Sequence, residues 1–352
     1  VPTDAEPQVT VRIFGATDTG RVRPHNEDAL LVAELDSAAV IPFHGETIER
    51  RIAGRGLLCI VADGMGGAVA GEVASHLAID TVLAYVAAEW SSASDRSPLR
   101  FASVLRDATL AANLRIHQQA VHDRELRGMG TTATIAGVLD DTVYIAQIGD
   151  SRAYLVRNGQ LQQITHDQSL TQRMVDAGEL SAEAAAYSEQ RNIILQALGP
   201  EPRVLVDLTR QQLRSDDLLL LCSDGLSGVL PHALLQRQCR DIRDPAALCA
   251  SLIAEANNAG GPDNITVIVV QVSGAALTPP IATDQVAHTP YPLRGTLADP
   301  EPQWNEHAVT SERALDGTAP RPDRSRTAQG AQRVLLLLAA AMLAWAAWIV
   351  WK

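Results

Sequence analysis

Between Leu57 and Gly71 the chain reads LLCIVADGMGGAVAG, apolar first, then acidic, then flexible. Leu57 to Ala62 form a short continuous apolar run bounded by glycine, the pattern of a strand buried on both faces. Asp63 falls where that strand is expected to end. The glycines after it allow a tight turn and a close approach of backbone to a ligand, and Val69 to Trp90 have helical composition. A carboxylate held at a strand end beside open backbone can serve a hard cation, because oxygen ligands suit magnesium and manganese. Taken alone, an Asp-Gly pair is more often just a turn. Leu218 to Gly225, LLLLCSDG, repeats the arrangement.

The chain has 352 residues, 46% of them hydrophobic, enough for one large domain or two with a real core. Its 29 basic and 41 acidic side chains give a net charge of -12, which argues against a nucleic-acid partner. Cys59, Cys222, Cys239 and Cys249 stand in apolar surroundings without a CxxC pair, and read as reduced core residues of a cytosolic domain.

In chain order, residues 1–8 read as a flexible N-terminus lacking the apolar core of a secretion signal. Val9 to Ala16 predict a strand, the loop through Arg23, Glu27 and Asp28 leads into a second from about Ala29, and Ile41 to Gly56 predict a hairpin excursion. Helices are expected near Val69 to Trp90 and Pro98 to Asp123. From Thr131 an antiparallel meander is expected, with turn signals at Asp140-Asp141 and Asn158-Gly159 and with Asp150 in a GDS break. Residues 165–198 are polar and helical and suit a flap over a site. Strands at Val204 to Thr209 and Asp217 to Cys222 follow, then helices at Pro231 to Cys239 and Pro245 to Asn258. Asp263 and Asn264 precede a last strand.

Residues 273–332 are rich in Pro, Thr, Ala and Asp without apolar periodicity, and predict a disordered linker. Within residues 333–352, Val334 to Val350 is an uncharged apolar run that as a helix spans roughly 25 Å, near the thickness of a bilayer core. Trp345, Trp348 and Trp351 suit the interface. Arg321, Arg324, Arg326 and Arg333 outnumber Lys352 across the run, which predicts a single-pass anchor of the cytoplasmic membrane with the N-terminal domain in the cytoplasm.

Acidic residues thus recur at strand ends or tight turns, at Glu27 with Asp28, Asp63, Asp150, Asp224 and Asp263, and as a set they suggest one metal cluster. At these residues the chain resembles the metal-dependent, type 2C serine/threonine protein phosphatases, most closely their bacterial members. The motifs are TGRVRPHNEDA, VADGMGG, GMGTTAT, AQIGDSRAYL, LLLCSDGL and GPDNITVIVV, in that order, and the resemblance covers residues 9–272. It implies an α+β fold, a four-layer α-β-β-α sandwich of two antiparallel sheets flanked by helices. It also implies hydrolysis of phosphoserine and phosphothreonine on proteins by in-line attack of a metal-activated hydroxide, opposing a Ser/Thr kinase.

The roles it implies are specific. Asp63 would bridge two ions, Mn2+ or Mg2+, with Asp224 and Asp263 completing the first site and Glu27 and the Gly64 carbonyl facing the second. Asp150 with Asp224 would hold a third. Asp28 and Asn264 would support these ligands from behind, and Arg23 would clamp the phosphate, its planar fork suiting two phosphoryl oxygens. One position departs from many eukaryotic members, which carry a histidine straight after DG. Met65 stands here, and a thioether donates no proton. His166 is expected to serve the base of the flap rather than act as the acid. Two alternatives stay open, a dedicated regulator phosphatase for one partner and an inactive phosphoprotein-binding membrane scaffold.

Overall fold

A computed structural model of the chain describes residues 8–35, 39–52, 56–66, 69–186 and 188–293. In order they form β1 (Val9–Asp18), β2 (Asp28–Glu34), β3 (Ala39–Val40), β4 (Ile48–Ile52), β5 (Leu57–Met65), α1 (Ala70–Ser91), α2 (Pro98–His122), β6 (Gly130–Thr131), β7 (Ala133–Leu139) and β8 (Thr142–Ile148). After these come β9 (Arg152–Arg157), β10 (Gln160–Gln163), α3 (Leu170–Asp176), α4 (Ala182–Ala186), β11 (Asp207–Gln212), β12 (Leu218–Cys222), α5 (Asp224–Ser227), α6 (His232–Asp241), α7 (Pro245–Asn258) and β13 (Ile265–Ser273).

Two antiparallel sheets result, as expected. The first runs β10-β9-β12-β13-β1-β4, and the second runs β11-β8-β7-β5-β2-β3 with β6 paired to the end of β5. The continuous apolar runs follow from burial on both faces. In β5, Leu57, Cys59 and Val61 point between the sheets, while Leu58, Ile60 and Ala62 point outward under α1 and α2. In β12, Leu219 and Leu221 face inward, and Leu218, Leu220 and Cys222 meet α6 and α7. Each of these leucines contributes roughly 2 kcal/mol by leaving water. Ala70, Ala74 and Ala78 let α1 lie close over the second sheet, and Trp90 at its far end stacks on Phe101 with ring centroids 4.8 Å apart. Ser97 caps α2 by accepting the Arg100 N–H at 3.2 Å, with Pro98 in the first turn, and Asp244 caps α7 through the Ala247 N–H at 3.1 Å. All four cysteines are buried and free, and burial pushes the Cys59 thiol up to about 12.

Several expectations are corrected. The 41–56 segment is no hairpin, because β3 pairs with β2 in the second sheet and β4 with β1 in the first, so the segment passes between sheets. The run from Thr131 is not one meander. β7 pairs with β8 and β9 with β10, but the GDS break carries the chain from the second sheet into the first, so Asp150 lies at a crossover. β5 continues two residues past Asp63 because β6 extends its ladder. The flap is helical only over α3 and the short α4.

Residues 273–293 are not a disordered linker. Ser273 closes β13, and the chain then runs back along β11 as a strap. The Arg210 N–H donates to the Thr289 carbonyl at 3.0 Å, and the Tyr291 N–H donates to the Leu208 carbonyl at 2.7 Å. Leu277 is buried, Asp284 holds Arg214 through two contacts of 2.8 and 3.0 Å, and the Tyr291 ring packs on Tyr144. The strap covers an otherwise open sheet edge using backbone bonds and few inward side chains, so it has no apolar period. Residues 294–332 of the expected linker, and the expected membrane span at Val334 to Val350, lie outside the described residues. Among the described residues no helix is long and apolar enough to cross a membrane.

Candidate active site

The acidic positions gather at one end of the sandwich, where the chain passes from sheet to sheet. Asp28 and Asp63 are register partners on β2 and β5 of the second sheet, while Asp224 follows β12 and Asp263 precedes β13 of the first. A cleft of about 480 Å³ opens there, lined by Arg23, Glu27, Asp63, Gly64, Asp224 and Asp263 among others. Asp150 opens into an adjoining cavity that shares Asp224 and Asn192 with the cleft.

Local hydrogen bonds fix each part. The Asp63 N–H donates to Thr132 Oγ1 at 3.0 Å, and the Asp63 carbonyl accepts from the Thr132 N–H at 2.8 Å and from Thr131 Oγ1 at 2.9 Å. The Gly64 N–H donates to the Glu27 carbonyl at 3.2 Å, and Ser75 Oγ donates to the same oxygen at 2.7 Å. A Cβ on Gly64 would collide with the Gly71 carbonyl, so the loop and α1 meet only because both positions are glycine. Asn264 acts as a bracket. It accepts the Glu27 N–H at 2.8 Å and donates to the Thr19 and His25 carbonyls, both at 2.9 Å. Ser223 Oγ donates to Asp28 Oδ2 at 2.7 Å and accepts the Thr266 N–H at 3.0 Å, tying the two sheets beneath the cleft.

The electrostatics are those of crowded carboxylates. Burial, with the charges of Asp28 and Asp224 added, pushes Asp63 well above the usual carboxylate range. Burial likewise pushes Asp28 up to about 7 and Asp150 up to about 8, and it raises Asp224 and Glu27. At Asp224 the neighbouring Asp263 charge adds to the rise, and hydrogen bonding with Asp63 offsets part of it. One carboxylate oxygen each on Asp28, Asp150 and Asp224 is buried with no hydrogen-bond partner among the described residues. Such an oxygen costs about 1–3 kcal/mol unless a proton or a cation meets it. Among the described residues no three acidic, His or Cys side chains are set to hold an ion by themselves. The donors are all oxygen and strongly anionic, which fits magnesium or manganese.

Arg23 reaches the cleft and meets Asp263 at 2.8 Å through one of its five donors. Met65 and Gly66 line the cleft beside it. His166 does not line it; its Nε2 sits 2.8 Å from Asp176 Oδ2 in α3, at the base of the flap. Sequence reasoning missed Asp167, the neighbour of His166. It takes three contacts of 2.6 to 3.0 Å from Arg152 and so anchors the flap two residues from Asp150. It also missed Asn192 and Ile194, which bring the flap to the cleft. The signal for Asp167 was an Arg in GDSR and an Asp in THDQS, with nothing to pair them before the fold was known.

Residues 48–258 match the family described as protein phosphatase 2C, a stretch that contains Asp63, Asp150 and Asp224 and is flanked by Glu27, Asp28 and Asp263. The chain is 36% identical over 255 residues to the serine/threonine phosphatase stp of Listeria innocua, covering 72% of this chain and 93% of that protein. It is 34% identical over 258 residues to the protein phosphatase PhpP of Streptococcus pneumoniae, covering 73% and 96%. Among solved structures, the catalytic domain of the serine/threonine phosphatase PstP in complex with two manganese ions superposes with a TM-score of 0.61 at 34% identity, covering 75% of this chain and 99% of that one. With a family match across more than half of its length and relatives aligned nearly end to end, the chain belongs to the protein phosphatase 2C family.

Proposed function

We propose that this chain is a metal-dependent protein serine/threonine phosphatase, hydrolysing phosphoserine and phosphothreonine on proteins, with Mn2+ or Mg2+ as cofactor. The observation that carries the reading is the meeting, at one cleft, of Asp63 from the second sheet with Asp224 and Asp263 from the first, where Asp224 keeps a buried oxygen without a hydrogen-bond partner among the described residues. Asp63, Asp224 and Asp263 would hold one ion, Glu27 and the Gly64 carbonyl would serve the second, and Asp150 with Asp224 would serve a third. When bound, the ions supply Lewis acidity that polarises the phosphoryl group and acidifies water near neutral pH.

The other contributions come from the chain itself. Arg23 orients two phosphoryl oxygens with its planar fork. Asp28 and Asn264 hold β2 and the Glu27 loop in place. Asn192 and Ile194 bring the flap against the substrate. Met65 donates no proton, so the leaving alkoxide takes its proton from water. Purified protein with manganese should hydrolyse p-nitrophenyl phosphate and a phosphothreonine peptide, and Asp63→Asn and Asp224→Asn should each abolish both activities. A wild-type protein that is inactive with manganese and binds none by calorimetry would sink this reading in favour of a phosphoprotein-binding scaffold.

The reading extends to location. The apolar run Val334 to Val350, preceded by four arginines, anchors the enzyme to the cytoplasmic membrane with the catalytic unit on the cytoplasmic side. Deleting Val334 to Lys352 should release active enzyme into the soluble fraction, and membrane retention of the deleted form would refute the anchor.

A further inference from the structure

A third cavity, of about 500 Å³, lies at the C-terminal end of α2 and plays no part in the chemistry above. His117, Val121, Arg124, Arg127, Gly128 and Pro200 line it. Arg124 and Arg127 are exposed, and neither makes an ion pair among the described residues. The two acids beside them, Asp123 and Glu125, do not line the cavity, and Asp123 Oδ1 is engaged by the Glu125 N–H at 2.9 Å. His117 Nδ1 is held by the Gly199 carbonyl at 2.8 Å, which fixes the ring in the wall. The α2 terminus brings about half a negative charge to this end, and two guanidiniums outweigh it. A locally cationic cavity on a chain of net charge -12 selects for an anion.

The cavity also adjoins the catalytic cleft. Gly66 lines the cleft, and a Cβ built on it would come within 3.0 Å of Met129 Cα and 3.4 Å of the Gly128 carbonyl oxygen. One backbone thickness therefore separates the two. The exposed Val121 side chain and the Pro200 ring offer apolar walls for the stem of a side chain.

We propose that this cavity binds a second anionic side chain, a carboxylate or a phosphate, of the phosphoprotein whose phosphoserine or phosphothreonine occupies the cleft. The assignment rests on the phosphatase reading and adds a substrate preference to it. Arg124 and Arg127 are its specificity residues, acting by charge-assisted hydrogen bonds at a solvent-exposed site.

The test uses phosphothreonine peptides that differ at one position, carrying alanine, aspartate or a second phosphothreonine, placed about two to eight residues to either side to span the reach between cavity and cleft. The readout is the ratio of kcat/KM for the anionic peptide to that for the alanine peptide, with manganese. Wild type should favour the anionic peptides about fivefold at one or two spacings, the size of one exposed charge-assisted bond. In Arg124→Ala/Arg127→Ala the ratio should fall to near one, and in Arg124→Glu/Arg127→Glu below one. A wild-type ratio near one at every spacing, or a ratio that survives both variants, overturns the proposal while leaving the phosphatase reading standing. Failure of the wild type to hydrolyse p-nitrophenyl phosphate or any of the peptides overturns both.

Discussion

Stripping divalent ions from this protein should make its stability fall as the pH rises from 5 to 7. Burial, helped by the neighbouring Asp224 charge, lifts Asp28 to about 7 and Asp150 to about 8, whereas in the unfolded chain both ionise near pH 4. Between those limits the folded protein holds protons that the unfolded chain has released, so raising the pH favours unfolding. The stability in question is fully present below pH 4 and is lost as the pH climbs through the folded values. Because these carboxylates titrate as a cluster, one extra bound proton is a sound lower count. One proton is worth about 1.4 kcal/mol per pH unit, hence ~3 kcal/mol over the window. At roughly 2 °C per kcal/mol for a domain of this size, Tm should drop by about 6 °C. On the proposed function, bound manganese would bring positive charge into this carboxylate cluster, so saturating metal should flatten or invert the slope. Scanning fluorimetry at pH 5, 6 and 7, with chelator and with manganese, makes the measurement. A metal-free Tm that is flat or rising, or equal slopes with and without manganese, would refute the reasoning.

Asp63→Asn, which should abolish hydrolysis, should also raise the metal-free Tm at pH 7, because a neutral amide is buried there without the proton uptake that the crowded carboxyl needs on folding; a fall in Tm would count against the argument from burial and crowding. Asp217→Ala should cost about 3–5 kcal/mol in urea unfolding, since it strands Arg157, which is 6% exposed and held by Asp217 through contacts of 2.6 and 3.0 Å. Ending the chain after Ser273 rather than after Leu293 should lower Tm by several degrees, because the strap then leaves β11, and equal Tm values would show that the strap adds nothing.

How far the sequence discloses this molecule depends on where the signal resides. Apolar runs such as LLCIVA and LLLLC announce strands buried on both faces, and Pro98 and Pro245 mark helix starts that the structure places at the same residues. The acidic set is legible because every member sits at a strand end or tight turn, and the structure brings Glu27, Asp63, Asp224 and Asp263 to one cleft with Arg23. What could not be read was pairing. Alternation within β8 and β9 is the same whether they are neighbours or lie in different sheets, so the GDS break looked like a hairpin. The strap was hidden for a related reason: its bonds to β11 are made by backbone, and its anchors at Leu277, Asp284 and Tyr291 are too sparse to show a period. Arg152 and Asp167 form the same kind of blind spot, a contact that only the fold defines.

The position of β13 has a consequence for biosynthesis. Although it is the last strand among the described residues, it lies in the interior of the first sheet, with β1 on one side and β12 on the other, so that Thr10 pairs with Ser273. The second sheet, apart from β11, uses only residues 28–148 and can assemble while the rest is still being translated. The first must wait for nearly the whole catalytic unit to leave the ribosome. Asp28 and Asp63 therefore belong to the early-forming half, and Asp224 and Asp263 to the late one. A nascent chain can present only part of the acidic cluster, and the cleft gains its full set of carboxylates as the two halves dock, which ties completion of the site to completion of folding.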